Sequence, residues 1–183
     1  MKKCAYAFCL LFILGLLTAC GGDDVADDPN LSSEAKTIVE ELGGPFSDTE
    51  FKKFLTDLPD IPSMTAQSQQ DMGEVSGAAL SAKILAEVKS KGWNEERFMY
   101  IYSHSMAMVN VEQINIMNEQ VKKQMEDMPE EQKKMMEQML NKQMGGQMEA
   151  YKAEVDKQVP ASEQAIIRDN MEALYAAFGL PQE

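Results

Sequence analysis

Hydrophobic residues along this chain form one continuous block and then a series of stripes at helical spacing. The block, Ala5 to Leu17, holds Phe8, Leu10, Leu11, Phe12, Ile13, Leu14, Leu16 and Leu17 with no charged interruption. Beyond Leu31 apolar positions recur every three or four residues, and no stretch sustains the period-two alternation of β-branched residues expected of a half-buried strand. Ser33 to Leu42 predicts a short helix ended by Gly43-Gly44-Pro45. Ser47-Asp48-Thr49-Glu50 is a Ser-x-x-Glu capping box that opens a second helix, with Phe51, Phe54, Leu55 and Leu58 on one face before Pro59. A third helical region, 63–90, is weakened near Gly73 and Gly77 and carries a firm stripe of Leu80, Ile84, Leu85 and Val88 before Lys91-Gly92.

The next helix is the most informative. Asn94 can cap it, and Glu95 and Glu96 sit where the helix dipole favours negative charge. Wound at about 100° per residue, the segment 98–117 places Phe98, Ile101, Tyr102, Val109 and Ile116 on one side. Met99, Met106 and Met117 fall on a flank, and Tyr100, Ala107, Val111 and Ile114 on the far side. A helix apolar on nearly every face belongs in an interior, so 94–118 is the expected central element, with a polar continuation that ends near Met128. Asp127-Met128-Pro129-Glu130 is another capping signal. The helix it opens carries a seam of Met136, Leu140, Met144, Met148, Tyr151, Val155 and Val159, with Gly145-Gly146 as a potential kink. Val159-Pro160 separates a last helix, Ser162 to Phe178, with Ile166, Ile167, Met171, Leu174, Tyr175 and Phe178 inward and Gly179 beyond its end. Short connections favour antiparallel neighbours. The expected fold is all-α, an irregular helical bundle built on a long antiparallel helix hairpin of residues 94–127 and 129–158.

The apolar block changes the picture of where the chain resides. It follows Met1-Lys2-Lys3, is too short for the roughly 20 residues of a membrane span, and stops at Leu17-Thr18-Ala19-Cys20 before Gly21-Gly22 and aspartates. A basic start, an apolar core and Leu-small-small-Cys together resemble the lipobox signal peptide of bacterial lipoproteins. That resemblance covers residues 1–20. It implies cleavage before Cys20, lipidation of Cys20 by two or three acyl chains, and a cell-envelope location. More than one chain is what stable anchoring requires. Gly21 rather than Asp after the lipidated residue implies the outer membrane, facing the periplasm, in a Gram-negative host. The organisation expected is a signal peptide at 1–19, lipidated Cys20 and an acidic flexible tether at 20–31, and a single helical domain at 32–183. Extended fully, the ten residues Gly21 to Asn30 reach about 35 Å.

Charge then narrows the partners. The chain has 17 basic and 30 acidic residues, a net charge of −13, and loss of Lys2 and Lys3 with the leader makes it −15. Nucleic-acid affinity comes mainly from Lys and Arg neutralising phosphates, so no nucleic-acid partner is expected. The leader also carries Cys4 and Cys9, and its removal leaves Cys20 as the last of three cysteines, so disulfides, thiolate metal sites and cysteine nucleophiles are not expected.

Candidate chemistry is sparse. Eleven of the fifteen methionines lie between Met99 and Met148. Thioethers suit Cu(I), and His104 and Met108 lie four apart on one helix face. Methionine is equally a flexible packing residue and a component of adaptable interfaces, and Met144 and Met148 share their seam with Leu140 and Tyr151. No metal or cofactor site is expected on that balance. His104 is the single histidine, placed among Tyr100, Met108 and Val111, and reads as a buried imidazole with one hydrogen-bond partner. No Gly-x-Ser-x-Gly elbow, phosphate loop or EF-hand spacing is present, and abundant carboxylates such as Glu95-Glu96 and Glu130-Glu131 read as helix starts. The run Met128-Pro129-Glu130-Glu131-Gln132 resembles the Leu-Thr-x-x-Gln helix starts of periplasmic stress chaperones in a single copy, with Met-Pro in place of Leu-Thr. The expected function is a membrane-anchored, non-enzymatic protein-binding or scaffolding module whose partner is another envelope protein. The alternative is a periplasmic helical chaperone or copper-handling protein using the Met-rich helix.

Overall fold

The computed structural model describes residues 25–65, 77–126, 128–140 and 145–181. The leader, the lipobox with Cys20, the Asp127 cap, Met139 as a side chain and Met144 lie outside that description. Among the described residues there are eight α-helices and no strand: α1 Ser33–Glu41, α2 Asp48–Asp57, α3 Gly77–Ser90, α4 Glu95–Glu126, α5 Glu130–Leu140, α6 Gly146–Gln158, α7 Ala161–Asp169 and α8 Met171–Phe178. None is long and apolar enough to cross a membrane. The all-α expectation holds.

Local signals set most helix starts. Ser32 Oγ accepts the Ala35 N–H at 3.1 Å, Ser47 Oγ accepts that of Glu50 at 3.2 Å, and Asn94 Oδ1 accepts that of Arg97 at 3.0 Å. Each satisfies a donor the first helical turn leaves unpaired. The reciprocal half of the Ser47 capping box does not form, because Glu50 turns its carboxylate to Arg97 instead. Gly43 and Gly44 end α1 at φ of 96° and 87°, a left-handed conformation costly for residues with a Cβ.

The core is built around the first half of α4. Phe46, Phe51, Phe54, Phe98 and Trp93 form a continuous aromatic chain with ring centroids 5.2 to 5.9 Å apart, and Tyr100 meets Phe46 edge-on at 6.3 Å. Phe51, Phe54 and Phe98 are wholly buried, each stabilising by about 1.5–3 kcal/mol through the apolar area removed from water. Helices α2, α3, α7 and α8 pack against this half. The rim is tied by Asp57, whose Oδ2 accepts from Trp93 Nε1 at 2.8 Å and Lys53 Nζ at 2.7 Å, while the Lys53 ammonium lies 4.0 Å over the Trp93 ring.

Further along, α4 and α6 pair as the antiparallel hairpin: Asn110 donates to Tyr151 Oη at 3.4 Å, and Val111 and Ile114 of α4 line a small cavity with Met148 and Tyr151 of α6. Of the single helix expected after Pro129, the described residues give α5 and α6 as helical, and 141–144 between them lie outside the description.

Three boundaries differ from the sequence reading. The helical region expected from Ser63 does not begin there, for 63–65 form a turn with Ser63 at φ 61°. The last helix is two, α7 and α8, broken at Asn170, whose side chain donates to Ile166 O at 2.8 Å and to Asp48 Oδ1 at 3.4 Å at the start of α2. The tether expected over 20–31 does not extend through 25–31. Val25–Asp27 is a 3-10 turn, Val25 and Leu31 are buried, Asp28 accepts the Ala161 N–H at 3.0 Å, and Ser32 N–H donates to Lys157 O at 2.9 Å. Two apolar residues with these backbone partners are enough to hold an otherwise polar segment on the domain.

Candidate functional site

Val159 and Pro160 are extended, and they swing the chain so that the first turn of α7 drives Glu163 into the interior. Glu163 has 0% exposure. Its Oε1 accepts the Phe46 N–H at 3.0 Å and the Tyr100 hydroxyl at 2.7 Å, and its Oε2 lies 2.6 Å from His104 Nδ1. A buried carboxylate is costly unless hydrogen-bonded on all sides, and here three donors converge on it. Two come from α4 at i and i+4, which puts Tyr100 and His104 on one face with ring centroids 4.1 Å apart. In the tautomer that donates through Nδ1 to Glu163, His104 Nε2 is an acceptor, and no partner engages Nε2 among the described residues.

Arg97 holds the loop that brings Phe46 to this carboxylate. Its Nε and Nη2 bind both oxygens of Glu50 at 2.8 Å, and its Nη1 donates to Gly44 O at 2.7 Å and Leu42 O at 3.2 Å. The Glu50 hydrogen bonds hold its guanidinium pKa above the ordinary value against the opposing effect of burial. Burial, reinforced by the neighbouring Glu163 carboxylate, pushes the Tyr100 phenol far above its ordinary range, so it remains a hydrogen-bond donor at any physiological pH.

The network forms one wall of a groove of about 650 Å3 between α1, the start of α4 and the end of α6. Ala35, Val39, Leu42 and Tyr100 give it an apolar lining, and His104 lines it with only 12% of its side chain exposed. Ile38 and Met99 stand on its flanks at 50% and 41% exposure, two of the few large apolar side chains so open to solvent. Both serine hydroxyls that line it already have backbone partners: Ser32 Oγ accepts the Ala35 N–H and caps α1, and Ser103 Oγ donates to Tyr100 O at 2.9 Å. Three carboxylates from three helices, Glu34, Glu96 and Glu154, ring the opening. The single cation, Lys157, lies 3.6 Å from Glu154.

The sequence reading gave His104 a single hydrogen-bond partner and left that partner unidentified. Glu163 was missed because an acid in a first helical turn already has a local explanation in the helix dipole. Its signal was its register, three and four residues before Ile166 and Ile167 on the inward face. His104 and Met108 do not act as a pair, for Met108 is buried in the hydrophobic core while the described nitrogen contact of His104 goes to Glu163. The methionines divide: Met64, Met108 and Met125 are buried, whereas Met117, Met135 and Met136 are exposed, Met135 at 68%. Among the described residues no group of three His, Cys, Asp or Glu side chains is arranged to hold a metal ion. Compared with family models, curated proteins and solved structures, the chain matches none of them.

Proposed function

We propose that this chain is a lipid-anchored cell-envelope protein whose helical domain is a non-enzymatic binding module for another envelope protein. Support for the address comes from the leader and Leu17-Thr18-Ala19-Cys20. The observation that carries the binding role is the groove beside His104. It is apolar inside, has exposed Ile38 and Met99 at its edges, and is backed by a carboxylate network that fixes its wall. A rigid concave surface of several hundred cubic ångströms with a few fixed polar groups is what ligand recognition uses. The Ser103 hydroxyl spends its hydrogen on Tyr100 O, which favours binding over acyl transfer at that serine, since a nucleophilic hydroxyl must hand its proton to a base.

A chaperone reading has its own observation in the exposed Met135 and Met136 on α5, because flexible thioether surfaces adapt to varied apolar partners. It is the second reading, since the groove draws its walls from three helices whereas Met135 and Met136 are exposed on one.

Cys20→Ala tests the address. The wild-type chain should incorporate a palmitate analogue and sediment with membranes, and the variant should do neither. Membrane association and labelling that survive the substitution would sink the proposal. Proximity labelling from the wild-type chain should enrich at least one envelope protein above a lipidated control of unrelated fold.

A further inference from the structure

The groove's charge and shape together specify an occupant. We infer that it receives a basic, apolar peptide segment of the partner: Lys or Arg residues interleaved with large aliphatic ones. The inference rests on the proposed binding role and not on the lipid anchor.

The argument begins with the apolar lining. Ala35, Ile38, Val39 and Leu42 form one stripe on and just past α1 at helical spacing, and Met99 and Tyr100 face it from α4. Val39 and Ala35 are covered by the core, whereas Ile38 and Met99 leave apolar surface open on opposite sides of one concavity. Aliphatic side chains of an occupant have their counterpart there.

Charge supplies the second half. Glu34 on α1 and Glu96 on α4 have neither hydrogen-bond nor ion-pair partners among the described residues. Glu154 on α6 shares its carboxylate with Lys157 and with Gln158 Nε2 at 2.9 Å. Negative charge therefore borders the opening on three sides, against one cation that is already paired. Opposite charge at the rim of a site steers encounter and rejects acidic competitors. His104 Nε2, without a partner among the described residues, adds one polar nitrogen to the wall.

The same charge argues against other occupants. Residues 21–24 and 66–76 hold Asp23, Asp24, Asp71 and Glu74 and no Lys or Arg. A second copy of a chain with net charge −13 would meet the rim with mostly like charge. Among partners, an acidic segment is repelled and a purely polar basic one leaves Ile38 and Met99 uncovered.

The test uses the full chain as cells produce it, purified from membranes in a neutral detergent. Three fluorescent octapeptides serve as probes: alternating Lys and Leu, alternating Lys and Ser, and alternating Glu and Leu. Anisotropy titration should show saturable one-to-one binding of the Lys/Leu probe alone. Glu34→Gln with Glu96→Gln and Glu154→Gln should weaken it at least ten-fold, as should Ile38→Ser with Met99→Ser. The charge-matched triple Glu126→Gln, Glu130→Gln and Glu131→Gln, away from the groove, should stay within two-fold, and because it shares the same micelle, partition of the probe cancels. Equal weakening by both glutamine triples means diffuse attraction to an acidic protein and overturns the inference. Equal binding of the Lys/Ser probe, or no Lys/Leu binding because another segment or copy fills the groove, overturns it too. Binding that persists in Cys20→Ala separates this inference from anchoring. An envelope partner still enriched by the groove glutamine triple would leave the binding module standing and remove this occupant.

Discussion

Helix α4 is one uninterrupted helix from Glu95 to Glu126, yet its two halves belong to different kinds of structure. Up to Val109 it buries Phe98, Tyr100, Ile101, Ser105, Met108 and Val109. Beyond that it buries Met125 alone, although Val111, Ile114, Ile116, Met117 and Val121 continue its apolar positions at wider spacing. The difference lies in the neighbours. The first half meets Phe54 of α2, Glu163 of α7 and Phe178 of α8, while α6 runs beside both halves from Tyr151 at Asn110 to Gln158 at the groove. Apolar residues all around a helix mark a capacity for burial, and the number of surrounding layers decides how much of it is used.

The contrast breaks most sharply under truncation. Phe54→Ala, at the centre of the aromatic chain, should cost about 3–5 kcal/mol, while Met135→Ala on α5 should change stability by less than about 0.5 kcal/mol. Urea denaturation of the two variants measures both, and comparable losses would mean that α5 is as integral as the body.

A smaller change sharpens the polar side of the same comparison. Glu163→Gln keeps volume but replaces an acceptor oxygen with a donor facing Phe46 N–H, Tyr100 Oη or His104 Nδ1. Its expected cost is about 1–3 kcal/mol, that of leaving a buried donor unmatched. In NMR spectra it should shift His104 ring resonances strongly and leave the signals of α5 in place.

The smallest effect is expected at the methionines. Replacing Met135, Met136, Met139, Met144 and Met148 by Leu conserves size and apolarity, so each should alter stability by less than about 1.5 kcal/mol. Anaerobic calorimetry with Cu(I) should find no stoichiometric binding to either form. Tight wild-type binding that the five leucines abolish would turn the reading towards metal handling.

How far the sequence foretold the structure follows the range of the forces involved. Ser47, Asn94 and Gly43-Gly44 were legible because a cap or a left-handed turn involves only near neighbours. The break at Asn170 was not, since it is tied to Asp48 on a helix more than a hundred residues away. The burial of Val25 and Leu31 was hidden for the same reason, their neighbours being held through Lys157 and Ala161. Of the site, His104 stood out as a single imidazole, but its carboxylate partner and the α1 wall of the groove emerge only once α7 and α1 close on α4.

The docking of residues 25–31 on the domain also sets a length scale. With Cys20 lipidated, as proposed, only the five peptide steps to Val25 separate the acyl chains from the folded body, at most about 17 Å of reach where a free segment to Asn30 would give twice that. Ser32, bonded to Lys157, places the groove at this same end of the molecule, and the far end of α6 at Gly146 lies about 18 Å further along its axis. Under the proposed anchoring, the groove stays within this short reach of the bilayer, and a partner held at the same surface would meet it at the high effective concentration of a tethered pair.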